Sequence, residues 1–341
     1  MDRRSFIGSA AATLALSRQT FAYSAADALS HKERVDRALA GEKLDRPPFT
    51  FYHHYNRPTA AQEAADHLAF HRAYKTDIVK VMNDFSYPAA KTVHWYDLKP
   101  LDSPYPKQLE TLKLVRDGLK GDAYFIDTLY GPYMTAMLLF LAQPEFAKYP
   151  QAEGEKKVIP AIAAFQRQHP DQWHAALDVI TQSTVNHIHR SREIGSSGAL
   201  VSLYNTASAY GSVDEYNRYS RPYDKRVLDA LSGTKLTILH LHNLNRPYLG
   251  QFKDFTAPVL QYSVKESGIP IAEARKLYPR TVLAAGVDEI DFRKLTIAEM
   301  RSQWESARAA AGPKYIAMPG CSVPNNSTPE ELARFPHSLG V

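Results

Sequence analysis

The sequence has a single cysteine, no long apolar run and no concentrated block of charge, and each shortage excludes a class of protein. One cysteine, Cys321, among 341 residues rules out an intrachain disulfide and a zinc site built from several thiolates. No run of 18 or more apolar residues is present, so no segment is predicted to span a membrane. The 41 basic and 36 acidic side chains are mixed along the chain, which argues against nucleic-acid binding. What remains, 44% hydrophobic and 23% charged residues, is typical of a folded globular protein.

The first 26 residues have the pattern of an export signal. Arg3 and Arg4 precede an Ala-rich apolar segment at residues 6–16, as in twin-arginine leaders. That segment is too short for a transmembrane helix, and the small residues around position 24 offer cleavage sites. A basic amino terminus leading into an ordinary helix is the alternative. The sequence therefore predicts a signal at residues 1–26, a single domain at residues 27–341, and a periplasmic protein that folds before it is exported.

Short apolar segments alternate with helical ones along the predicted domain. The eight strand-like segments are residues 48–52, 77–82, 122–127, 199–204, 236–241, 258–262, 281–285 and 314–318. Near-continuous apolar runs suit parallel strands that are covered on both faces. This pattern predicts an α/β protein, a (β/α)8 TIM barrel with a helical insertion between strands three and four. A doubly wound open sheet is the alternative, but no Gly-x-Gly-x-x-Gly motif follows a strand.

Polar and aromatic side chains collect at the carboxyl ends of these predicted strands, where barrel enzymes carry their chemistry. Asp84, Asp288 and Tyr130 are candidates for catalysis, with an aspartate handling the proton. Either aspartate would alternatively cap a turn or a helix. The candidates for binding a small-molecule substrate are His53, His54, Tyr87, Tyr133, Asn205 and Tyr262.

His240 and His242 form a His-x-His pair at the end of the predicted fifth strand. Residues two apart on a strand point to the same face, so both imidazoles can reach one point above the barrel. Cys321 follows the eighth strand, beside a glycine. Two imidazoles and a thiolate suit zinc and leave a fourth position open for a substrate. The alternative is a pair of hydrogen-bonded structural histidines and a cysteine buried as a small apolar residue.

Several short motifs, among them His240-Leu241-His242 and Pro319-Gly320-Cys321, occur in order along the chain. Together they resemble the uroporphyrinogen decarboxylase superfamily, and specifically its zinc-dependent cobamide methyltransferase branch. Leu239-His240-Leu241-His242-Asn243 is similar to that branch's His-x-Cys-Gly strand end. Pro319-Gly320-Cys321-Ser322-Val323-Pro324, followed by Thr328-Pro329-Glu330, is similar to its terminal Pro-Gly-Cys segment. Ala284-Ala285-Gly286-Val287-Asp288, Met82-Asn83-Asp84-Phe85-Ser86-Tyr87-Pro88 and Tyr130-Gly131-Pro132-Tyr133 resemble three further strand ends. The resemblance implies a (β/α)8 barrel.

The resemblance also implies a zinc enzyme that transfers or removes a methyl group, with a corrinoid protein as a candidate partner. His240 and Cys321 match the zinc ligands of that branch, while His242 replaces a thiolate. An imidazole donates less electron density than a thiolate, so zinc here would be a stronger Lewis acid. We therefore expect methyl transfer or demethylation of a small substrate.

Two other functions stay open at this point. One is a metal-free decarboxylase of a uroporphyrinogen-like tetrapyrrole or another aromatic carboxylate, in which the resemblance gives Asp84 the role of the family's aspartate and Tyr130 or Tyr133 that of its tyrosine. The strand-one end, however, lacks the arginine pair of the decarboxylase branch, and such pairs bind carboxylates strongly. The other is a non-catalytic periplasmic binder of a corrinoid or tetrapyrrole.

Overall fold

The computed structural model describes residues 29–92, 94–242 and 246–341. The export signal predicted for residues 1–26 lies outside the described residues and stays a prediction. In the ranges that are described, none of the helices combines the length and the apolar character needed to cross a bilayer.

One parallel sheet of seven strands forms the centre of the fold, and its strands lie side by side in chain order. Parallel neighbours need a crossover connection, and helices supply most of these. The strands are β1 Ile78–Lys80, β2 Tyr124–Tyr130, β3 Ala199–Leu203, β4 Ile238–Leu241, β5 Val259–Tyr262, β6 Val282–Val287 and β7 Tyr315–Pro319. The curled sheet has a TIM-barrel-like form, which confirms the predicted α/β class.

Helices flank this sheet along the described chain. They are α1 His31–Ala40, α2 Ala60–Tyr74, α3 Pro106–Leu119, α4 Pro132–Leu141, α5 Pro144–Ala147, α6 Gln151–Gln168, α7 Pro170–Ile194, α8 Val213–Tyr219, α9 Arg221–Ala230, α10 Val264–Ser267, α11 Ile271–Leu277, α12 Ile297–Ala311 and α13 Pro329–Ser338. Two short 3-10 helices lie at Ser208–Tyr210 and Leu249–Phe252.

Helices α4 to α7 all lie between β2 and β3 and pack on one another around a separate aromatic cluster that includes Trp95, Phe140 and Trp173. Helix α6 was not predicted, because Gly154 and Pro160 within it disfavour a helix when only the sequence is considered. Packing against α4 and α7 overrides that local preference.

Residues 48–52 fill the gap between the two edge strands. Phe49 forms a parallel bridge with Ala317 of β7. On the other side, the carbonyl of Phe49 accepts a hydrogen bond of 3.0 Å from the backbone N–H of Asp77, which precedes β1. The segment therefore contacts both edges of the sheet and brings β1 and β7 together.

The prediction of eight strands is corrected here to seven strands and one extended segment. Residues 48–52 lie where the first strand was expected, but they make a single bridge rather than a ladder. Pro47 and Pro48 have no backbone N–H to donate, which shortens any ladder at this point.

Asp77 fixes this closing segment through its buried carboxylate. Its oxygens accept hydrogen bonds from Arg34 (2.6 Å), Arg46 (2.5 Å) and the backbone N–H of Phe49 (3.0 Å), and His31 Nδ1 lies at 2.9 Å. Burial alone would raise the pKa of this carboxyl, but the bond from His31 and the charges of Arg46 and Arg34 outweigh burial and hold the pKa below its ordinary value. The carboxylate thus joins α1 and the closing segment to the start of β1.

We predict that Asp77→Asn lowers the free energy of unfolding by about 3 to 5 kcal/mol, because it leaves the buried Arg34 and the partly buried Arg46 without their full counter-charge. Urea unfolding monitored by circular dichroism measures this loss. Asp117→Asn is the matched control, since the Asp117 side chain is 64% exposed and its salt-bridge partner among the described residues is Arg116. A loss at Asp77 no larger than that of the control would contradict this role.

The contribution of the Asp77 carboxylate to the free energy of unfolding should depend on pH. A carboxyl group with a depressed pKa in the folded state stabilises the fold above its unfolded pKa of about 3.9 and loses that contribution as the pH falls towards the folded pKa. The stability difference between the wild-type protein and Asp77→Asn should therefore shrink below about pH 4. An unchanged difference there would show that charge is not the cause.

Candidate active site

A cavity of about 180 Å³ opens at the carboxyl end of the strands. Lys80 ends β1, Tyr130 ends β2, Tyr204 directly follows β3, and Cys321 comes two residues after β7. All four side chains line this cavity, together with His240 and His242 from β4 and the stretch just beyond it. This is the end of the barrel at which the sequence predicted the chemistry.

The inward-facing positions change from apolar to polar along the strands. Leu200 and Ile238 are in register on β3 and β4, and both belong to the apolar cluster inside the barrel. Two residues further along, where side chains point the same way, the register aligns Ser202, His240 and Gln261 on β3, β4 and β5. Ser202 and His240 of this polar layer line the cavity.

His240 is buried and His242 is half-buried, and both have buried ring nitrogens that no described group satisfies. Both nitrogens of His240 and Nδ1 of His242 lack a hydrogen-bond partner. Burial lowers the pKa of both imidazoles, which favours the neutral form that carries a free lone pair. A buried polar atom without a partner costs about 1–3 kcal/mol, and a bound ion or ligand is one of the few explanations for such an atom.

Cys321 is held at the cavity by the turn that precedes it. The carbonyl of Pro319 accepts a hydrogen bond from Gln261 Nε2 at 2.9 Å, and the N–H of Gly320 donates to Glu289 Oε2 at 3.0 Å. A Cβ on Gly320 would lie only 2.4 Å from Ser263 Cα, so only glycine allows this approach. The backbone therefore comes close to β5 and turns the next residue towards the mouth.

The thiol of Cys321 and the imidazole of His240 influence each other. Burial raises the pKa of the thiol, but the influence of the nearby His240 imidazole outweighs burial, and the pKa lies below its ordinary value. A thiolate is therefore easier to form here than at an ordinary buried cysteine.

The two histidines and the cysteine share one cavity but are not drawn into a tight cluster. The ring centroids of His240 and His242 are 5.6 Å apart. The described part of the chain does contain a group of three His, Cys, Asp or Glu residues whose ligand atoms all lie within 4.8 Å of one another. That group consists of His31, His71 and Asp122, not of the three pocket residues. A metal ion bound by all three pocket side chains would thus require them to move closer together.

His54 reaches the cavity with Asp84 behind it. His54 Nδ1 donates to Asp84 Oδ1 at 2.5 Å, while Asp84 Oδ2 accepts from the backbone N–H groups of Tyr55 (2.9 Å) and Asn56 (2.8 Å). Burial would raise the pKa of Asp84, but these hydrogen bonds and the charge of His54 lower it, so the carboxylate stays ionised. Asp84 therefore orients the imidazole rather than facing the cavity itself.

Lys80 is a site residue that sequence reasoning missed. It is 4% exposed, its Nζ lies 3.1 Å from Met82 Sδ and 3.8 Å from the centroid of the Tyr52 ring, and no salt bridge to a described carboxylate accompanies these contacts. Burial lowers the pKa of this ammonium to about 7. The sequence signal for this role is a single basic residue within the apolar segment 77–82. That segment was interpreted as a strand, and its lysine was not considered as a site residue.

The insertion supplies the apolar wall of the cavity. Met134 and Met137 of α4 and Leu138 beside them face it, and Glu155 of α6 lines it near Tyr204. Methionine is flexible and polarisable and so adapts to small apolar groups. None of these wall residues was singled out from the sequence.

Of the other residues proposed as catalytic or substrate-binding, Tyr130 lines the cavity and its hydroxyl donates to the carbonyl of Asn83 at 2.8 Å. Asp288 does not line it: its carboxylate accepts from the backbone of Ile290 at the start of a turn and pairs with Lys265. The remaining five, which also lie away from the cavity lining, are His53, Tyr87, Tyr133, Asn205 and Tyr262.

Each of these five has contacts of its own. His53 packs on Tyr55 and Phe70, and Asn205 donates to Ser220 Oγ at 2.6 Å. Tyr87 and Tyr133 belong to the aromatic cluster of the insertion, while Tyr262 is fully buried in the layer between sheet and helices. These residues pack within the fold and do not line the cavity. Their position at a predicted strand end does not distinguish a packing role from contact with the substrate.

Comparisons with known proteins agree with this architecture. The family model described as uroporphyrinogen decarboxylase (URO-D) matches residues 82–339. A methyltransferase from Methanosarcina mazei aligns with a TM-score of 0.73 at 15% identity, over 92% of this chain and 98% of that one. A B12-independent methionine synthase from Shewanella sp. W3-18-1 aligns with a TM-score of 0.54 at 12% identity, over 86% of this chain and 92% of that one. Identities this low show a shared fold.

Among curated proteins, a uroporphyrinogen decarboxylase from Carboxydothermus hydrogenoformans is 25% identical over 142 residues. That match spans 42% of this chain and only 36% of the relative. The family model covers well over half of the chain, and the protein therefore belongs to the uroporphyrinogen decarboxylase family. The resemblance seen in the motifs is confirmed at the level of the family.

We predict that Gly320→Ala displaces the Cys321 turn, because the added Cβ meets the backbone of Ser263 and the carboxylate of Glu289. Overpacking of this kind costs about 1–3 kcal/mol. Thermal unfolding and the rate at which Cys321 reacts with a thiol reagent should both change. Gly250→Ala is the matched control, since a Cβ there meets nothing within 4 Å. Equal behaviour of the two variants would show that the close approach at Gly320 is not required.

Proposed function

We propose that this protein is a zinc-dependent enzyme that transfers or removes a methyl group on a small substrate. The observation that carries the proposal is the set of unpartnered, buried nitrogens of His240 and His242 in the cavity that Cys321 also lines. Two neutral imidazoles and a thiol of lowered pKa are donors that zinc prefers, so the residues present fit the metal by their chemistry. Zinc held there would supply Lewis-acid activation of a bound group.

The cavity favours a small substrate. A volume of about 180 Å³ is well below the roughly 300–1,000 Å³ typical of sites for drug-sized ligands, and a tetrapyrrole is larger than such ligands. Met134, Met137 and Leu138 give one wall an apolar surface that suits a methyl group. Lys80 lines the same cavity, and its ammonium is available for a negative charge on the substrate, since a buried cation without an ion pair is costly.

His54 is the group best placed to handle a proton. Removal of a methyl group from an oxygen, nitrogen or sulfur atom leaves an electron pair on that atom, which a proton from His54 would neutralise. Asp84 holds the imidazole through Nδ1, so Nε2 is the nitrogen left to exchange the proton. The methyl acceptor would be a second substrate, and a corrinoid protein remains a proposed partner.

A metal-free decarboxylase is the second candidate. Lys80, which forms no salt bridge with the described carboxylates, would suit a substrate carboxylate, and the curated relative is itself named a uroporphyrinogen decarboxylase. The cavity volume argues for a smaller carboxylate than a tetrapyrrole. For either activity, export to the periplasm stays a proposal based on residues 1–26.

We predict that the purified full-length protein binds cobalt with a thiolate-to-metal charge-transfer band, because Cys321 is a ligand. Cys321→Ser should abolish the band, and His240→Gln should weaken binding by more than about 100-fold, since loss of an outer partner alone costs roughly 10- to 100-fold. His189→Gln, an exposed histidine on α7, is the control. A protein that turns over substrate without metal, or lacks the band, would favour the decarboxylase.

We predict that His54→Gln lowers turnover by about 100-fold or more, as expected for loss of a general acid. Asp84→Asn should lower turnover by about 10- to 100-fold and shift the pH profile, because the amide cannot orient the imidazole in the same way. Steady-state kinetics across pH measure both effects. The neighbouring His53→Gln is the control, since His53 packs on Phe70 away from the cavity. Equal losses at His53 and His54 would contradict the assignment.

A further inference from the structure

A group of side chains of the types that bind metals lies at the opposite end of the barrel. His31 begins α1, His71 lies in the last turn of α2, and Asp122 is in the turn that leads into β2. These positions are near the amino ends of β1 and β2, whereas the cavity opens at the carboxyl ends. The group is therefore separate from the proposed active site.

The donor atoms of this group are close enough to share one ion. One ligand atom from each residue lies within 4.8 Å of the other two. His71 Nε2 is 3.1 Å from Asp122 Oδ2, and the rings of His31 and His71 meet edge to face with centroids 5.4 Å apart. Two ligands at tetrahedral zinc are about 3.4 Å apart when the bonds are near 2.1 Å. The observed nitrogen–oxygen distance is close to that value.

A second contact of each imidazole, through its Nδ1 atom, fixes the orientation of the ring. His31 Nδ1 lies 2.9 Å from Asp77 Oδ1, and His71 Nδ1 lies 3.2 Å from the hydroxyl of Thr76. Histidines that bind a metal commonly use their second nitrogen in this way, towards a carboxylate or another oxygen. The contacts direct the remaining nitrogen of each ring away from these partners.

The charges nearby leave Asp122 available to a cation. Arg34 and Arg46 form salt bridges with Asp45 and Asp77, while the salt-bridge partner of Asp122 among the described residues is His71. The Asp122 side chain is 63% exposed, so an ion can enter from solvent. The positive charge of the arginines is thus matched without using Asp122.

We propose that His31, His71 and Asp122 form a binding site for zinc or a similar first-row divalent cation. Two imidazoles and one carboxylate are a known donor set for zinc, and three protein ligands leave a position for water. An ion here ties α1, α2 and the turn before β2 together, next to the Asp77 contacts that close the sheet. The site stabilises the barrel and takes no part in the chemistry of the cavity.

The test uses the full-length Cys321→Ser variant, in which the proposed thiolate site is disabled. Zinc is titrated into the chelator-treated protein against a chromophoric chelator, and melting temperature is followed by circular dichroism. Introducing Asp122→Asn into this variant should lower the number of zinc ions bound per chain by one and remove a zinc-dependent rise in melting temperature. Asp117→Asn, with an equally exposed side chain, should change neither quantity.

His71→Gln should have the same effect as Asp122→Asn, provided that its circular dichroism spectrum without zinc matches that of the parent, because His71 is buried. Equal zinc binding by the Asp122→Asn and Asp117→Asn proteins would overturn the proposal, as would a Cys321→Ser protein that binds no zinc. These results do not depend on the cobalt–thiolate band, so failure here and failure of the proposed function are told apart.

Discussion

The architecture depends on how the edges of the sheet are joined at Phe49. An open parallel sheet would leave β1 and β7 far apart, and the side chains at their carboxyl ends would not share a cavity. The main chain around Phe49 bonds to β7 on one side and to the start of β1 on the other. Asp77 fixes that arrangement because its carboxylate accepts the N–H of Phe49 while two guanidinium groups neutralise it. The shared mouth that holds Lys80 and Cys321 follows from this closure.

The buried charged groups around Asp77 have partners, whereas several buried polar groups at the carboxyl end of the barrel lack them among the described residues. Around Asp77 at the amino end, buried charges are met by opposite charges and hydrogen bonds, which favours stability. At the carboxyl end, His240 and His242 have nitrogens without partners, and Lys80 contacts a thioether and a ring face. Groups left unsatisfied in the free protein cost stability, and a ligand that satisfies them recovers that free energy on binding. This difference, rather than the fold, distinguishes the carboxyl end as the candidate functional site.

Much of the fold could be predicted from the sequence, because buried parallel strands are near-continuous apolar runs and seven of the eight predicted segments overlap a strand. The first segment was wrong as a strand because Pro47 and Pro48 remove ladder donors, and α6 was missed because local propensity opposes it. The positions of His240, His242 and Cys321 in one cavity followed from strand-end spacing and the family resemblance. That spacing does not determine contacts across the barrel.

The contacts that sequence could not supply decide the details of the site. His53 and His54 are neighbours, yet of the two His54 alone lines the cavity. The turn at Asn56 (φ 54°) directs backbone N–H groups to the Asp84 carboxylate. That carboxylate in turn accepts a hydrogen bond from His54 and fixes its imidazole. Asp288 directly follows its strand, as a catalytic aspartate would. Its carboxylate, however, accepts a hydrogen bond from the backbone of Ile290 and forms a salt bridge with Lys265. Such choices depend on side chains distant in sequence.

The helical insertion is part of this site and not only an addition to the barrel. Met134 and Met137 line the same cavity as Ser202 and His240. Apolar walls lower the local dielectric constant, which strengthens the influence of Lys80 and of the Cys321 thiol on any bound group. Burial lowers the pKa of Lys80 itself to about 7. The insertion therefore contributes the apolar part of the cavity lining, and the strand ends contribute its polar groups.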